Sequence, residues 1–114
     1  MVLTPHRAVQ PDVIFVASAR LGIIGDRLMG AADLVAEVIS PESRRRDRLD
    51  KRDLYEQHGV REYWLLDPEA QTVEVLYLEA GQYELVGRWE PGQQAQSRLL
   101  KGLAIPVAGL FREA

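Results

Sequence analysis

The chain has no cysteine and only two histidines among its 114 residues. The absence of cysteine excludes disulfide bonds and thiolate metal ligands. Because His6 and His58 lie far apart in the sequence, a histidine-based metal centre is not expected either. Any metal ion would therefore be held mainly by carboxylate oxygens, the donor type that suits Mg²⁺ and Mn²⁺.

The sequence also lacks a long apolar segment and a large net charge. No apolar run approaches the roughly 20 residues of a membrane helix, and the N-terminus lacks the pattern of a signal peptide. We therefore expect a cytoplasmic protein with no membrane partner. The net charge of −3 argues against a protein whose whole surface binds nucleic acid. Basic residues are nevertheless concentrated between Arg44 and Arg52.

The pattern of apolar residues predicts a single α+β domain. Residues 1–10 are polar and are expected to form a flexible leader, while residues 11–114 are expected to form the domain. A helix from Arg44 to His58 follows the second strand, and an antiparallel hairpin follows the third. The predicted strands cover residues 13–16, 33–40, 60–66, 72–78 and 82–89 and part of 99–111. This order indicates a mixed β-sheet with an antiparallel meander at its end.

The predicted helix carries charges on the face that should be apolar. At about 100° per residue, five residues share that face: Asp47, Lys51, Leu54, Tyr55 and His58. If Leu54 and Tyr55 dock the helix, Asp47 and Lys51 are carried inward with them. A buried ammonium needs an anion nearby, which is either a carboxylate or a ligand. The opposite face, including Arg52 and Glu56, is expected to be a solvated surface.

A carboxylate also lies in the middle of a predicted strand. Glu37 shares its strand face with Val35 and Ile39, where an uncompensated charge is costly. If the helix packs back on the sheet, Asp12 at the start of one strand, Glu37 and Lys51 would meet. Two carboxylates can hold a divalent cation, and a lysine beside them can orient or deprotonate a water molecule. These groups suffice for metal-dependent phosphodiester hydrolysis.

Two ordered motifs carry a family resemblance: Asp33-Leu-Val-Ala-Glu37-Val-Ile-Ser40-Pro41, and Asp47-x₃-Lys51-x₃-Tyr55-x₃-Gly59-Val60-x-Glu62-Tyr63-Trp64-Leu-Leu-Asp67-Pro68. In these motifs the chain resembles the Uma group of bacterial proteins, which belongs to the PD-(D/E)XK nuclease superfamily. The resemblance implies a restriction-endonuclease-like core in which Asp12 and Glu37 bind Mg²⁺ or Mn²⁺ and Lys51 is the catalytic lysine. In the commoner superfamily form the lysine stands two positions after the acid, where this chain has Ile39.

The same resemblance implies an N-terminally shortened domain, because family members usually have a further segment before the "PD" strand. Apolar sheet surface uncovered in this way would favour a homodimer. Supporting roles beside the metal are expected for Asp33, Asp47 and Tyr55. Alternatively, Lys51 only forms a structural salt bridge with Glu37 or Asp47.

The leading hypothesis is a Mg²⁺-dependent endonuclease with a DNA substrate. The basic run is then expected to contact phosphates through Arg44, Arg45 and Arg48, although a solvated helix face explains the same run equally well. The alternative hypothesis is a non-catalytic, nuclease-like module that acts in dimerisation or nucleic-acid binding.

Overall fold

The computed structural model describes residues 1–4, 7–8, 13–15, 30, 32–40 and 45–111. The described residues form nine strands and two helices. In chain order they are β1 (Val2–Thr4), β2 (Arg7–Ala8), β3 (Val13–Phe15), β4 (Leu34–Val38), α1 (Arg45–Gln57), β5 (Glu62–Asp67), β6 (Thr72–Glu79), β7 (Gln82–Trp89), β8 (Gln94–Gln96), β9 (Ala104–Pro106) and α2 (Val107–Leu110). Neither helix is long and apolar enough to cross a membrane.

A five-stranded sheet in the order β3-β4-β5-β6-β7 forms the centre of the fold. Strands β4 and β5 are parallel and are connected through α1, whereas the other neighbouring pairs are antiparallel. This arrangement confirms the predicted α+β class and the mixed sheet with its terminal meander. A two-stranded sheet of β8 and β9 packs beside it.

The two faces of the central sheet bury separate apolar clusters. On the face toward α1, Val35 packs with Tyr55, Val60 and Tyr63. On the other face, seven residues from β4 to α2 pack together: Leu34, Ala36, Trp64, Val73, Val75, Ala95 and Val107. The alternation of Leu34 and Val35 between the clusters follows from the period of two in a strand. It places Glu37 on the same face as Val35, toward α1.

The C-terminus of α1 is fixed by Gly59, as the sequence predicted. Gly59 adopts a φ of 76°, which a glycine accepts without steric cost. Its N–H donates to the carbonyl of Glu56, and the N–H of Val60 donates to the carbonyl of Tyr55 at 3.1 Å. These two bonds form a Schellman motif, and Val60 and Tyr55 make the accompanying apolar contact. The chain thereby turns from α1 into β5.

The hairpin between β6 and β7 also agrees with the sequence prediction. Glu79 pairs with Gln82, so Ala80 and Gly81 form a two-residue loop. Both have positive φ values, 50° and 81°, as a type I′ turn requires. This turn matches the right-handed twist of the strands and sets their register.

Two segments differ from expectation. Part of the predicted flexible leader is extended, since β1 and β2 pair antiparallel, and Met1 packs against the cluster under α1. In the segment 99–111, the expected strand is limited to β9, and the chain then turns into α2. The change occurs because Pro106 has φ −60° and caps α2, a geometry that proline favours at helix starts.

Candidate functional site

The candidate site is built around the carboxylate of Glu37, the fourth of the five residues of β4. The residue is only 7% exposed, and each of its carboxylate oxygens has a partner on α1. The Tyr55 hydroxyl donates to Oε1 at 2.6 Å, and the Lys51 amine donates to Oε2 at 3.3 Å. The structure therefore brings together three of the residues singled out in the sequence.

Tyr55 positions α1 over this carboxylate. It is fully buried, and its ring meets the ring of Tyr63 edge-on, with centroids 5.1 Å apart. Lys51 lies four residues earlier, one turn away on the same side of the helix. Its side chain is 44% exposed. The amine therefore lies at the border between the protein interior and solvent, where it can contact both Glu37 and an incoming molecule.

The electrostatics keep the Tyr55 hydroxyl protonated. Burial is the largest cause that raises the pKa of Tyr55 well above its ordinary value, and the hydrogen bond to Glu37 is the second largest. Burial and the charge of Glu37 likewise raise the pKa of Tyr63, while Arg48 and Arg52 oppose that rise. Tyr55 is therefore a permanent hydrogen-bond donor to Glu37 at neutral pH.

Glu37 and Lys51 line a small cavity of about 40 Å³. Arg48 also lines it, as does Ile39, which occupies the position where the commoner superfamily form has its lysine. The Nε atom of Arg48 is buried and has no hydrogen-bond partner among the described residues. A carboxylate, an ammonium and a guanidinium group thus converge on one space.

The structure describes the other predicted site residues only in part. Asp33 is buried just before β4, and its carbonyl accepts a hydrogen bond from the N–H of Glu62 at 3.1 Å. Asp47 and Arg45 lie in α1, but their side chains are outside the described part of the structure. Asp12 and Arg44 lie outside the described residues altogether.

The donor chemistry at Glu37 suits a hard divalent cation. Glu37 lines the small cavity, but no group of three aspartate, glutamate or histidine side chains converges within the described part of the chain. Val13, which follows Asp12 in the sequence, pairs with Ala36, which precedes Glu37. The described strands therefore supply one carboxylate, that of Glu37. The second carboxylate implied by the family resemblance is that of Asp12, which is adjacent in sequence to Val13, the partner of Ala36.

Comparisons with known proteins agree with the resemblance stated from the sequence. Residues 1–108 match the sequence model of a family described as "Uma2: Putative restriction endonuclease". The chain belongs to this family. No curated protein shows a significant match.

Among solved structures, a protein described as "a putative nuclease belonging to DUF820" from Anabaena variabilis ATCC 29413 is similar, with a TM-score of 0.60 and 26% sequence identity. The alignment covers 77% of this chain and 48% of that protein. The chain therefore spans about half the length of this relative, and the two share a nuclease-like fold.

One buried carboxylate of this Uma2 chain was missed in the interpretation of the sequence. Glu62 is fully buried at the start of β5 and accepts hydrogen bonds from four donors, which belong to Trp64, Ser97, Arg98 and Leu99. The strand alternation could have revealed it, because Glu62 shares the face of Trp64 and must be buried with it. Apart from Trp64, its partners lie 35 to 37 residues away in the sequence. The sequence around Glu62 therefore does not indicate which groups bind it.

The helical wheel was wrong for two residues of α1. Arg52 and Glu56 were expected on a solvated face, yet Arg52 lines a second cavity between α1 and the sheet. Glu56 accepts a hydrogen bond from the N–H of Tyr83 at 2.8 Å. The helix contacts the sheet across a wider arc than Leu54 and Tyr55 indicated, because long polar side chains extend around the side of the helix.

Proposed function

We propose that this chain is a Mg²⁺-dependent endonuclease that cleaves DNA in the cytoplasm. The observation that carries the proposal is the carboxylate of Glu37, held between the Tyr55 hydroxyl and the Lys51 amine at the wall of a cavity. This arrangement occurs in a member of a nuclease family. A buried carboxylate and an amine at a solvent border are the groups that metal-assisted phosphodiester hydrolysis needs.

Each residue has a distinct role in this proposal. Glu37 and Asp12 would hold the cation, which when bound polarises a phosphate oxygen and neutralises developing charge. Tyr55 fixes the orientation of Glu37 by binding Oε1, so that Oε2 faces Lys51. Lys51 orients the attacking water and stabilises negative charge on the phosphate. Arg44, Arg45 and Arg48 contact the DNA backbone.

The experiment compares the only two lysines of the chain. Cleavage of plasmid DNA is measured with Mg²⁺, with Mn²⁺ and with a chelator, for the wild type, Lys51→Ala and Lys101→Ala. Lys101 is exposed and serves as the matched control. We expect Lys51→Ala to lower the rate by about 10² or more, whereas Lys101→Ala keeps the wild-type rate. Thermal unfolding checks that both variants are folded.

Retained cleavage in Lys51→Ala would remove Lys51 from the mechanism. If the wild type cleaves nothing and calorimetry detects no Mg²⁺ or Mn²⁺ binding, the non-catalytic alternative replaces the enzyme. The predicted homodimer is tested separately by sedimentation, because a second copy would double the sedimenting mass whether or not the site is active.

A further inference from the structure

A second, larger cavity of about 450 Å³ lies between α1 and the sheet, next to the Glu37 site. Arg48 and Arg52 line it from the helix, and Thr72, Glu74 and Arg88 line it from β6 and β7. Arg48 and Ile39 also line the small cavity at Glu37. The two spaces are therefore neighbours with a common wall, and a polymer bound at one can continue into the other.

The register of the sheet places Arg88 in line with the candidate catalytic carboxylate. Glu37 pairs with Leu65, Leu65 pairs with Glu74, and Glu74 pairs with Arg88. These residues form one row across four strands on the face toward α1. With about 4.8 Å between strands, the row spans about 14 Å. Arg88 therefore lies too far from Glu37 to share the phosphate that is cleaved, but it lies within reach of a neighbouring one.

The cavity is lined by more positive than negative side chains. Within the described part of the chain, Arg48 and Arg52 form no ion pair, and the Nε of Arg48 is buried without a partner. Arg88 pairs with Glu74 at 3.7 Å, but the two side chains are 58% and 38% exposed, and such a pair contributes little. The cavity wall also includes Asp67, so three guanidinium groups face only two carboxylates.

One of these two carboxylates is already engaged. Asp67 Oδ1 accepts hydrogen bonds from the N–H groups of Glu69 and Ala70, both at 3.1 Å. Glu74 is consequently the main acid that competes with an anion for the arginines. Removing its charge should strengthen anion binding, whereas removing an arginine should weaken it.

We propose that the cavity lined by Arg48, Arg52 and Arg88 binds phosphate groups of the DNA strand adjacent to the phosphate cleaved at Glu37. This inference rests on the proposed function and adds to it a backbone-binding track along the α1 side of the sheet. Guanidinium groups suit this role because they bind phosphate oxygens in a bidentate manner and remain charged. Arg52 and Arg88 thereby join the arginines expected from the sequence.

The test measures binding of the full chain to a fluorescent DNA duplex by anisotropy, in the presence of a chelator and at several salt concentrations. The chelator prevents cleavage and removes any contribution from the metal. Arg52→Ala and Arg88→Ala should each raise Kd about tenfold. Each should also reduce the slope of log K against log salt by about 0.9 for every phosphate that the variant no longer neutralises.

Two substitutions complete the design. Arg61→Ala removes an exposed arginine before β5, roughly 20 Å along that strand from Asp67 at about 3.3 Å per residue, and should leave Kd unchanged. Glu74→Gln should lower Kd about threefold, because it releases Arg88 and removes a negative charge. A residue with only a structural role would not tighten binding when it is replaced.

The outcomes separate this inference from the proposed function. If Arg52→Ala and Arg88→Ala bind as Arg61→Ala does while the wild type still cleaves DNA, the backbone track is wrong and the enzyme assignment stands. If the arginine variants lose affinity but no preparation cleaves DNA, the track stands and the catalytic assignment fails. A wild type without measurable DNA affinity in the chelator overturns the backbone track, whereas the enzyme assignment is decided by cleavage with Mg²⁺ or Mn²⁺.

Discussion

Glu62 should contribute more to stability than any other single polar residue described, because its carboxylate joins distant parts of the chain. Oε1 accepts hydrogen bonds from the N–H groups of Arg98 and Leu99 at 2.8 and 2.9 Å. Oε2 accepts from Trp64 Nε1 at 2.9 Å and from the Ser97 hydroxyl at 2.6 Å. One buried side chain thus fixes the segment that leads from β8 to β9.

The cost of removing this carboxylate follows from its donors. In Glu62→Ala, four donors lose their acceptor, and each buried donor without a partner costs about 1–3 kcal/mol. Arg98 is exposed, so water can satisfy part of this loss, and we expect about 4 kcal/mol in total. This is a large share of the roughly 5–15 kcal/mol that stabilise a domain.

Glu62→Gln should cost less, about 2 kcal/mol. The amide oxygen can replace Oε1, but the amide nitrogen then faces the Trp64 Nε1 donor. Ser97 can reverse its hydroxyl to accept from the amide, whereas the indole has no acceptor. The conflict is therefore confined to one of the four hydrogen bonds.

Urea unfolding monitored by tryptophan fluorescence measures both values. The control is Glu79→Gln, which removes only an exposed ion pair with Arg98, where the two side chains are 56% and 46% exposed. It should cost less than about 1 kcal/mol. If Glu62→Ala costs no more than Glu79→Gln at an unchanged m-value, the carboxylate does not hold this segment and the reasoning is refuted.

Three further predictions concern the tyrosines, one glycine and the candidate site. Three buried tyrosines have a pKa raised above 10.0, chiefly by burial: Tyr55, Tyr63 and Tyr83. Their contribution to stability is complete below pH 10, and above pH 10 the free energy of unfolding should fall by up to about 1.4 kcal/mol per pH unit per tyrosine. If the free energy of unfolding of the wild type and of Tyr55→Phe does not fall above pH 10, this prediction is wrong. Gly87→Ala should cost about 1–3 kcal/mol, because a Cβ there overlaps the indole of Trp89, while the open site of Gly109 tolerates alanine; equal melting temperatures for the two variants would exclude the clash. Glu37→Gln should abolish cleavage and yet destabilise less than Glu62→Gln, since it has two described donors in place of four; activity assays and urea unfolding on one preparation show whether the two effects separate.

Local sequence rules predicted the parts of this fold that depend on neighbouring residues. The strand period placed Glu37 toward α1, the wheel placed Lys51 and Tyr55 over it, and Gly59 marked the end of the helix. These features follow from backbone geometry over a few residues. The turn at Gly81 is of the same kind.

Features that depend on long-range pairing were not predictable. Arg88 lines the same cavity as Arg52. It does so because three successive strand pairings from β4 to β7 place it in one row with Glu37. The role of Glu62 depends on a loop more than 30 residues away. The helical wheel also misplaced Glu56, because a wheel gives only the direction in which each side chain leaves the helix and takes no account of side-chain length.

The two buried carboxylates of the sheet, Glu37 and Glu62, show why one is a candidate ligand and the other is not. A carboxylate has about four acceptor positions. Glu62 receives four hydrogen bonds, so its capacity is filled and its role is structural. Glu37 receives two from the described residues and lines a cavity, so it keeps acceptor capacity for a cation. The ion pair of Glu37 with the half-exposed Lys51 side chain contributes little net stability. Stability alone therefore does not explain its presence, which the proposed role in binding a cation and a phosphate would explain.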